Sequence, residues 1–205
     1  MDKTKRQLQK EQTKQLLLQA AFDQFEKNGI MATRMSDIAK AANVSHGTVF
    51  VHFATQEILI TTVIEEFGRK MTARTHELAG GTGSVREVLQ AHLNGIMEYE
   101  GFYTRLVIEA RMLPAASRNT LIMIHSAMSH HLSQAAQREM EAGTIARMPI
   151  HFLFNTWMGL VNYYLTNGDL FAPEGSVLGR YGQALLDHYM SLLQPKITPG
   201  GEEKL

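Results

Sequence analysis

Thr33-Arg34-Met35-Ser36-Asp37-Ile38-Ala39-Lys40-Ala41-Ala42-Asn43-Val44-Ser45-His46-Gly47-Thr48-Val49-Phe50-Val51-His52-Phe53 reads as two short helices joined by a tight turn. In the first, Met35, Ile38, Ala39 and Ala42 recur at the i, i+3, i+4, i+7 spacing that turns one helical face to a core. Thr33 is the expected N-cap of that helix. Asn43 follows its last turn, and asparagine tolerates a left-handed backbone, so the chain can reverse there. Val44 is expected to plug the core. Ser45 then suits the N-cap of a second helix, accepting a hydrogen bond from the amide of Gly47 or Thr48, with Val49 and Phe53 facing inward.

The outward face of the second helix carries His46, Gly47, Thr48, Phe50 and His52. A helix that offers its first residues to base edges in the major groove needs small or polar groups there, and Gly47 and Thr48 meet that need. Amides at the helix start, a histidine and the flanking side chains can meet phosphate oxygens, which set register without reading sequence. A plain helical hairpin within an all-helical domain would show the same spacing.

The residues around this segment resemble the tetracycline-repressor (TetR) type of helix-turn-helix regulators, from Gln15 to Leu59. Leu17, Ala20, Ala21, Phe22, Phe25 and Gly29 resemble its first helix and Thr33 to Val44 its second. Ser45-x-Gly47-Thr48-Val49-Phe50-x-His52-Phe53 resembles its recognition helix, and Thr55-Gln56-Glu57-x-Leu59 the opening of a long connecting helix. The resemblance implies DNA contacts from Thr33, Arg34, Ser45, His46, Gly47, Thr48, Phe50, His52 and Gln56. Three positions depart from the pattern: Asn43 for the usual glycine, Phe50 for tyrosine and Gln56 for lysine. Phe50 can pack on the sugar and backbone but donates no hydroxyl hydrogen bond, and Gln56 keeps a donor while losing the charge. Arg34 either restores part of that charge or is a solvated surface arginine.

Composition is consistent with such a regulator. The chain has 205 residues and a formal net charge of zero, unevenly spread. Residues 1–53 hold eight Lys and Arg against five Asp and Glu, a surplus of +3 that the remainder cancels. Lys3, Lys5, Arg6, Lys10 and Lys14 concentrate that charge before and along the first helix, an arm able to neutralise phosphates or simply to be solvated. The absence of cysteine excludes disulfides, thiolate metal sites and cysteine-based redox sensing. The most apolar run, Ile150 to Leu165, is too short and too polar to span a bilayer, and no signal-peptide core follows the basic N-terminus, so a cytoplasmic location is expected.

The expected fold is all-α with about nine helices: a DNA-binding segment at 1–55, an effector-binding and dimerisation segment at 56–194, and a flexible tail at 195–205. A connecting helix is expected over 56–79, although Ile58, Ile60, Thr61, Thr62, Val63 and Ile64 would suggest a strand if read alone. Gly80-Gly81-Thr82-Gly83 is a break, and Ser84-Val85-Arg86-Glu87 a capping box opening a helix to about Glu100, interrupted by Gly101. Pro114 and Gly143 bracket a long helix. Pro149 starts the next, Asn167-Gly168 closes it, and a last helix runs from about Ser176 to Leu193.

Two apolar stripes mark the last helices: Leu153, Trp157, Leu160, Val161 and Tyr164 on one, and Tyr181, Leu185, His188, Tyr189 and Leu192 on the other. The resemblance implies a four-helix homodimer interface, with Leu153, Leu160, Tyr164, Tyr181, Leu185 and Tyr189 as its candidates. Spacing alone does not separate an interface from an intramolecular core. A dimer can place two recognition helices about 34–36 Å apart, which implies a palindromic double-stranded DNA operator.

The resemblance further implies a small apolar or aromatic effector whose binding releases DNA. Met97, Phe102, Tyr103, Met112, Met123, Met128, Trp157, Met158 and Tyr163 supply adaptable apolar groups, and equally ordinary core filling. Arg105, Glu109 and Arg111 either orient a polar part of that ligand or are solvated. Alternatives are a regulator without an effector and a helical-bundle enzyme or metal protein. Against the latter, the spacings of His125, His130 and His131 do not share a helical face, and no metal or phosphate-binding motif occurs, so no cofactor, metal or catalytic residue is expected.

Overall fold

A computed structural model describes residues 4–79 and 83–195, without the side chains of 75–79. Lys3, Gly80, Gly81 and Thr82 of the expected break, and the expected tail beyond Pro195 lie outside the described residues. Every regular element among the described residues is an α-helix, and there are ten. They are α1 Lys5–Asn28, α2 Met35–Ala41, α3 His46–His52, α4 Gln56–Ala79, α5 Val85–Glu98, α6 Glu100–Glu109, α7 Ala115–Ala142, α8 Ile150–Thr166, α9 Gly168–Phe171 and α10 Val177–Leu192. The short α9 is the element the sequence pattern did not suggest. No single helix among the described residues is long and apolar enough to cross a membrane.

The chain forms two compact units, Met1–Ala73 with Glu98–Ser126, and Arg74–Met97 with Ala127–Leu205. The first therefore contains the helix-turn-helix, most of α4 and all of α6. The reason is apolar: α4 turns Leu59, Ile60, Val63, Ile64 and Phe67 inward, a helical spacing that overrides the β-branched propensity of the segment. Phe67 packs edge-on against Phe102 at 5.5 Å and stacks on Tyr103 at 5.7 Å, while Phe22 meets Phe102 at 4.8 Å. Burial pushes the Tyr103 phenol well above its ordinary value, so it stays protonated.

α1 starts at Thr4 with a reciprocal cap, the Thr4 amide donating to Gln7 Oε1 at 2.8 Å and the Gln7 amide to Thr4 Oγ1 at 3.4 Å. It ends at Gly29, whose φ of +91° lies where side chains are disfavoured. The loop that follows is held by Glu109 at the end of α6. This carboxylate is only 7% exposed and accepts the amide hydrogens of Ile30 at 3.0 Å and Met31 at 2.8 Å. Glu109 is thus part of the fold of this unit and not a solvated or ligand-orienting charge, and Arg105 donates to Glu26 O at 3.3 Å. The interruption expected at Gly101 occurs two residues earlier, at Tyr99 between α5 and α6, and Gly101 is not its cause. It lies inside α6, where a Cβ would come within 2.5 Å of the Glu26 carboxyl, so the missing side chain permits close packing of α6 on α1.

Thr33 is not an N-cap. Its hydroxyl donates to Gly29 O at 2.6 Å and the residue is 2% exposed, while α2 is capped at Arg34, whose amide donates to Asp37 Oδ2 at 2.8 Å.

In the second unit the expected capping box is present, with Ser84 N donating to Glu87 Oε2 at 2.7 Å and Glu87 N to Ser84 Oγ at 3.2 Å. Trp157 is fully buried, donates from Nε1 to His92 Nδ1 at 3.1 Å and packs on Tyr189 with ring centroids 5.2 Å apart. The Tyr189 hydroxyl donates to the Leu153 carbonyl. Phe171 of α9 stacks on Tyr164 at 4.2 Å and meets Tyr181 at 6.0 Å, so this small helix closes the aromatic end of the α8–α10 pair.

Removing the Glu109 carboxylate leaves two amide donors without an acceptor in the protein, so Glu109→Ala should lower unfolding free energy by about 2–3 kcal/mol. Gly29→Ala, whose Cβ would stand 2.8 Å from Glu109 Oε1, should destabilise through the same contact. Urea unfolding checks both, and wild-type midpoints in the two variants would refute this account of the loop.

Candidate nucleic-acid interface

The turn between α2 and α3 is built as its residue types require. Asn43 adopts φ +52°, the one non-glycine positive φ among the described residues. Val44 N then donates back to Ala39 O at 3.0 Å, and the Val44 side chain is half-buried, less deeply placed than a core plug. Ser45 caps α3 through Oγ, which accepts from Thr48 N at 3.1 Å and lies 2.8 Å from Thr48 Oγ1. Val49 and Phe53 are buried at 0% and 1% exposure, which fixes the rotation of the helix and turns its other residues outward.

On that outward side His46 and Gly47 are exposed, Thr48 and His52 half-exposed, and Phe50 is exposed with its ring 4.9 Å from His46 in edge-on contact. Arg34 is exposed at the start of α2. Val51, which the sequence pattern did not single out, is 73% exposed on the same side.

Gly47 is informative because nothing inside the protein asks for it. Its φ is not positive, and an added Cβ would meet only Ser45 Oγ, at an ordinary 3.8 Å. Glycine costs up to about 0.5–1 kcal/mol relative to alanine in a helix interior, and less in a first turn such as that of Gly47. The residue therefore carries a cost with no internal return, and what it leaves is open space at the outer surface of α3.

His52 stands at the rim of a cavity of about 420 Å³ lined also by Gln7, Lys10, Glu11 and Lys14 of α1. Burial first, and then the ammonium groups of Lys10 and Lys14, hold its imidazole below its ordinary value, so it is neutral at pH 7. The basic arm and the end of α3 thus meet in one concavity, whose two lysines outnumber its one carboxylate, Glu11. The i, i+4 spacing of Lys10 and Lys14 was visible in the sequence, whereas their proximity to His52 was not.

Two of the nine candidate DNA contacts are committed elsewhere. Thr33 is buried, as above. Gln56 turns its amide inward, with Nε2 donating to Thr33 O at 2.9 Å.

The candidate effector residues do not gather around one cavity. In the first unit Phe102 and Tyr103 belong to the aromatic core, whereas Met112 and Met123 are 58% and 63% exposed. In the second, Trp157, Met158 and Met128 are buried, while Met97 and Tyr163 are exposed. A cavity of about 680 Å³ in this unit is lined by Gln137, Met140, Glu141, Arg147, Met148 and Ile150, none of them among the nine.

Of the candidate interface residues, Leu153, Leu185 and Tyr189 are buried between α8 and α10 of one chain, and Leu160, Tyr164 and Tyr181 are half-buried. The stripes are largely intramolecular core. No group of three or more His, Asp or Glu able to hold a metal ion occurs among the described residues.

Residues 17–62 match the family described as bacterial regulatory proteins, tetR family. The HTH-type transcriptional repressor Rv3405c of Mycobacterium tuberculosis is 38% identical over 78 residues, 38% of this chain and 42% of that protein, so the match spans less than half the relative's length. Among solved structures, a TetR-family transcriptional regulator from Agrobacterium tumefaciens superposes with TM-score 0.75 at 14% identity, covering 91% of this chain and 100% of that one. The regulator FadR of Bacillus subtilis, solved with stearoyl-CoA, gives 0.71 at 17% identity over 86% and 97%. At such identities the structures establish the shared fold alone.

If the space at Gly47 serves an outside surface, Gly47→Ala should raise unfolding free energy by up to about 0.5–1 kcal/mol while weakening duplex DNA binding. Denaturation and fluorescence anisotropy on the same preparation test the pair. A variant that gained stability and kept full affinity would show that the gap has no such use.

Proposed function

We propose that this chain, whose residues 17–62 match the family described as bacterial regulatory proteins, tetR family, is a sequence-specific DNA-binding transcriptional repressor and not an enzyme. The observation that carries the reading is the outward side of α3, where a glycine with no internal purpose sits between small and polar residues. Residues 1–55 form the DNA-binding segment and 56–194 the effector and dimerisation segment of this proposal. Thr48 and Gly47 lie against base edges, while His52, Lys10 and Lys14 take one phosphate and Arg34, Ser45, His46 and Phe50 flank the backbone. A cytoplasmic location accords with DNA as the partner.

A homodimer follows from the same reading, since one short recognition helix supplies too few contacts, and two related by a two-fold axis read a palindrome. The pairing surface is the outward side of α8 and α10. Phe152 and Tyr163 are each 58% exposed, and with Thr156 and Gly159 they form a stripe at helical spacing. A Cβ at Gly159 would touch nothing within 4 Å, so this mid-helix glycine too is unexplained within one chain and suits close approach by a second. Leu192 adds an exposed apolar residue on α10. A small apolar or aromatic effector that prefers the non-binding spacing of the two reading helices releases the operator. FadR, which shares the fold, was solved with stearoyl-CoA, so a fold of this kind can hold a ligand with an apolar part.

Selection of bound duplexes from a random pool by the ligand-free protein tests the reading and should enrich a palindrome. Thr48→Ala should change the enriched sequence, whereas His52→Ala should weaken binding without changing preference. No enrichment at moderate salt would count against the proposal.

His52 also gives a pH signature. A phosphate beside it favours the imidazolium, so its pKa is higher in the complex than in the free protein, where burial, Lys10 and Lys14 depress it. Binding then takes up a proton, and affinity should rise as pH falls from about 7.5 to about 6. Anisotropy titrations should show a smaller rise in His52→Gln, and equal rises would remove His52 from the phosphate site.

A further inference from the structure

Val51 is the most exposed large apolar side chain among the described residues, at 73%. A single exposed valine needs no explanation in general, but the position of this one is specific. At about 100° per residue, Val51 falls opposite the midpoint of Val49 and Phe53, the two buried residues that anchor α3. It is therefore the centre of the outward face, with Gly47 one turn before it and Thr48 beside that glycine. Phe50, the other exposed apolar residue of the helix, lies to one flank with its ring against His46 at 4.9 Å. The centre of the face is thus a bare glycine backbone followed by an isopropyl group that no part of the described chain covers.

An isopropyl group offers no hydrogen bond, so it reads a surface only through apolar contact. The major groove presents one apolar feature along its base edges, the C5 methyl of thymine. We infer that Val51 is a specificity-determining residue that reads the methyl group of one thymine in each half-site. Thr48 supplies the hydrogen-bonding readout beside it, and the absence of a side chain at Gly47 lets the helix approach closely enough for the contact. This inference rests on the reading of α3 as the recognition helix.

Deoxyuridine differs from thymidine only by that methyl group and keeps the same pairing. Once the operator has been obtained by selection, each thymine is replaced in turn, symmetrically in both half-sites, by deoxyuridine. Affinity is then measured for the wild-type protein and for Val51→Ala. One replacement should weaken wild-type binding by about fourfold per half-site, the change associated with one buried methyl group. Val51→Ala should bind the thymine operator more weakly by a similar factor and be indifferent to deoxyuridine at that position alone. Identical replacement profiles for the two proteins, with the operator still bound specifically, would overturn the role of Val51 while leaving α3 as the reader. Failure of the wild-type protein to select any sequence would overturn both.

Discussion

The carboxylate of Glu109, accepting the amide hydrogens of Ile30 and Met31, is the interaction on which the arrangement of the first unit depends. α1 ends at Asn28 and α2 begins at Met35, so the six residues between them must turn the chain with almost no helical hydrogen bonds of their own. Partners outside the loop or at its ends hold it instead. Glu109 takes two amides, the Thr33 hydroxyl closes onto Gly29 O, and Gln56 donates to Thr33 O. A loop whose buried residues, Gly29, Ile30 and Thr33, are tied in this way is held in one geometry, because each partner is a fixed point. The direction of α2, and through the Asn43 turn that of α3, follows from it. Glu109 demands Gly29 in return, since its oxygen occupies the space where a Cβ would stand.

This loop also revises what the departure at Gln56 means. Read beside the family pattern, glutamine for lysine is a lost phosphate contact. In the folded chain the amide faces inward and holds the carbonyl that precedes α2, a task for which a neutral donor of that length suffices. In the proposed reading the charge comes instead from α1, where Lys10 and Lys14 stand with Glu11 and His52 around one concavity. Burial first, and then the field of the two lysines, lowers the histidine's pKa in the free protein, which leaves it able to gain a proton where a phosphate outweighs both effects.

The parts of the fold legible in the sequence were those fixed by neighbours along the chain. The left-handed Asn43, the Ser45 cap, the box at Ser84 and Glu87, and the bounds of α4 and α7 all depend on residues within a turn or two of each other. What escaped was set by partners far away in the chain. Glu109 lies 79 residues from Ile30, and nothing near either of them announces the pair. Thr33 has the residue type of a cap, but its hydroxyl found a stronger use against Gly29 O, and Asp37 capped α2 from the other side. The stripes on α8 and α10 were read correctly as stripes. Periodicity locates an apolar face without naming what it meets, and Leu153, Trp157 and Tyr189 met their own chain.

The same limit suggests where function is best sought in a chain of this kind. A residue that the fold uses is explained once its internal contacts are known, and Glu109, Thr33, Gln56 and Trp157 are all explained in that way. Gly47, Val51 and Gly159 are not. Each carries a helix-weakening or apolar-exposure cost that no contact within one chain offsets. Two lie at the centre of the outward face of α3 and the third on the outward stripe of α8, the surfaces that a duplex and a second copy would occupy. Their joint position on these two faces therefore supports both partners more directly than Leu153, Trp157, Val161, Leu185 and Tyr189 of the apolar stripes, which the interior already uses.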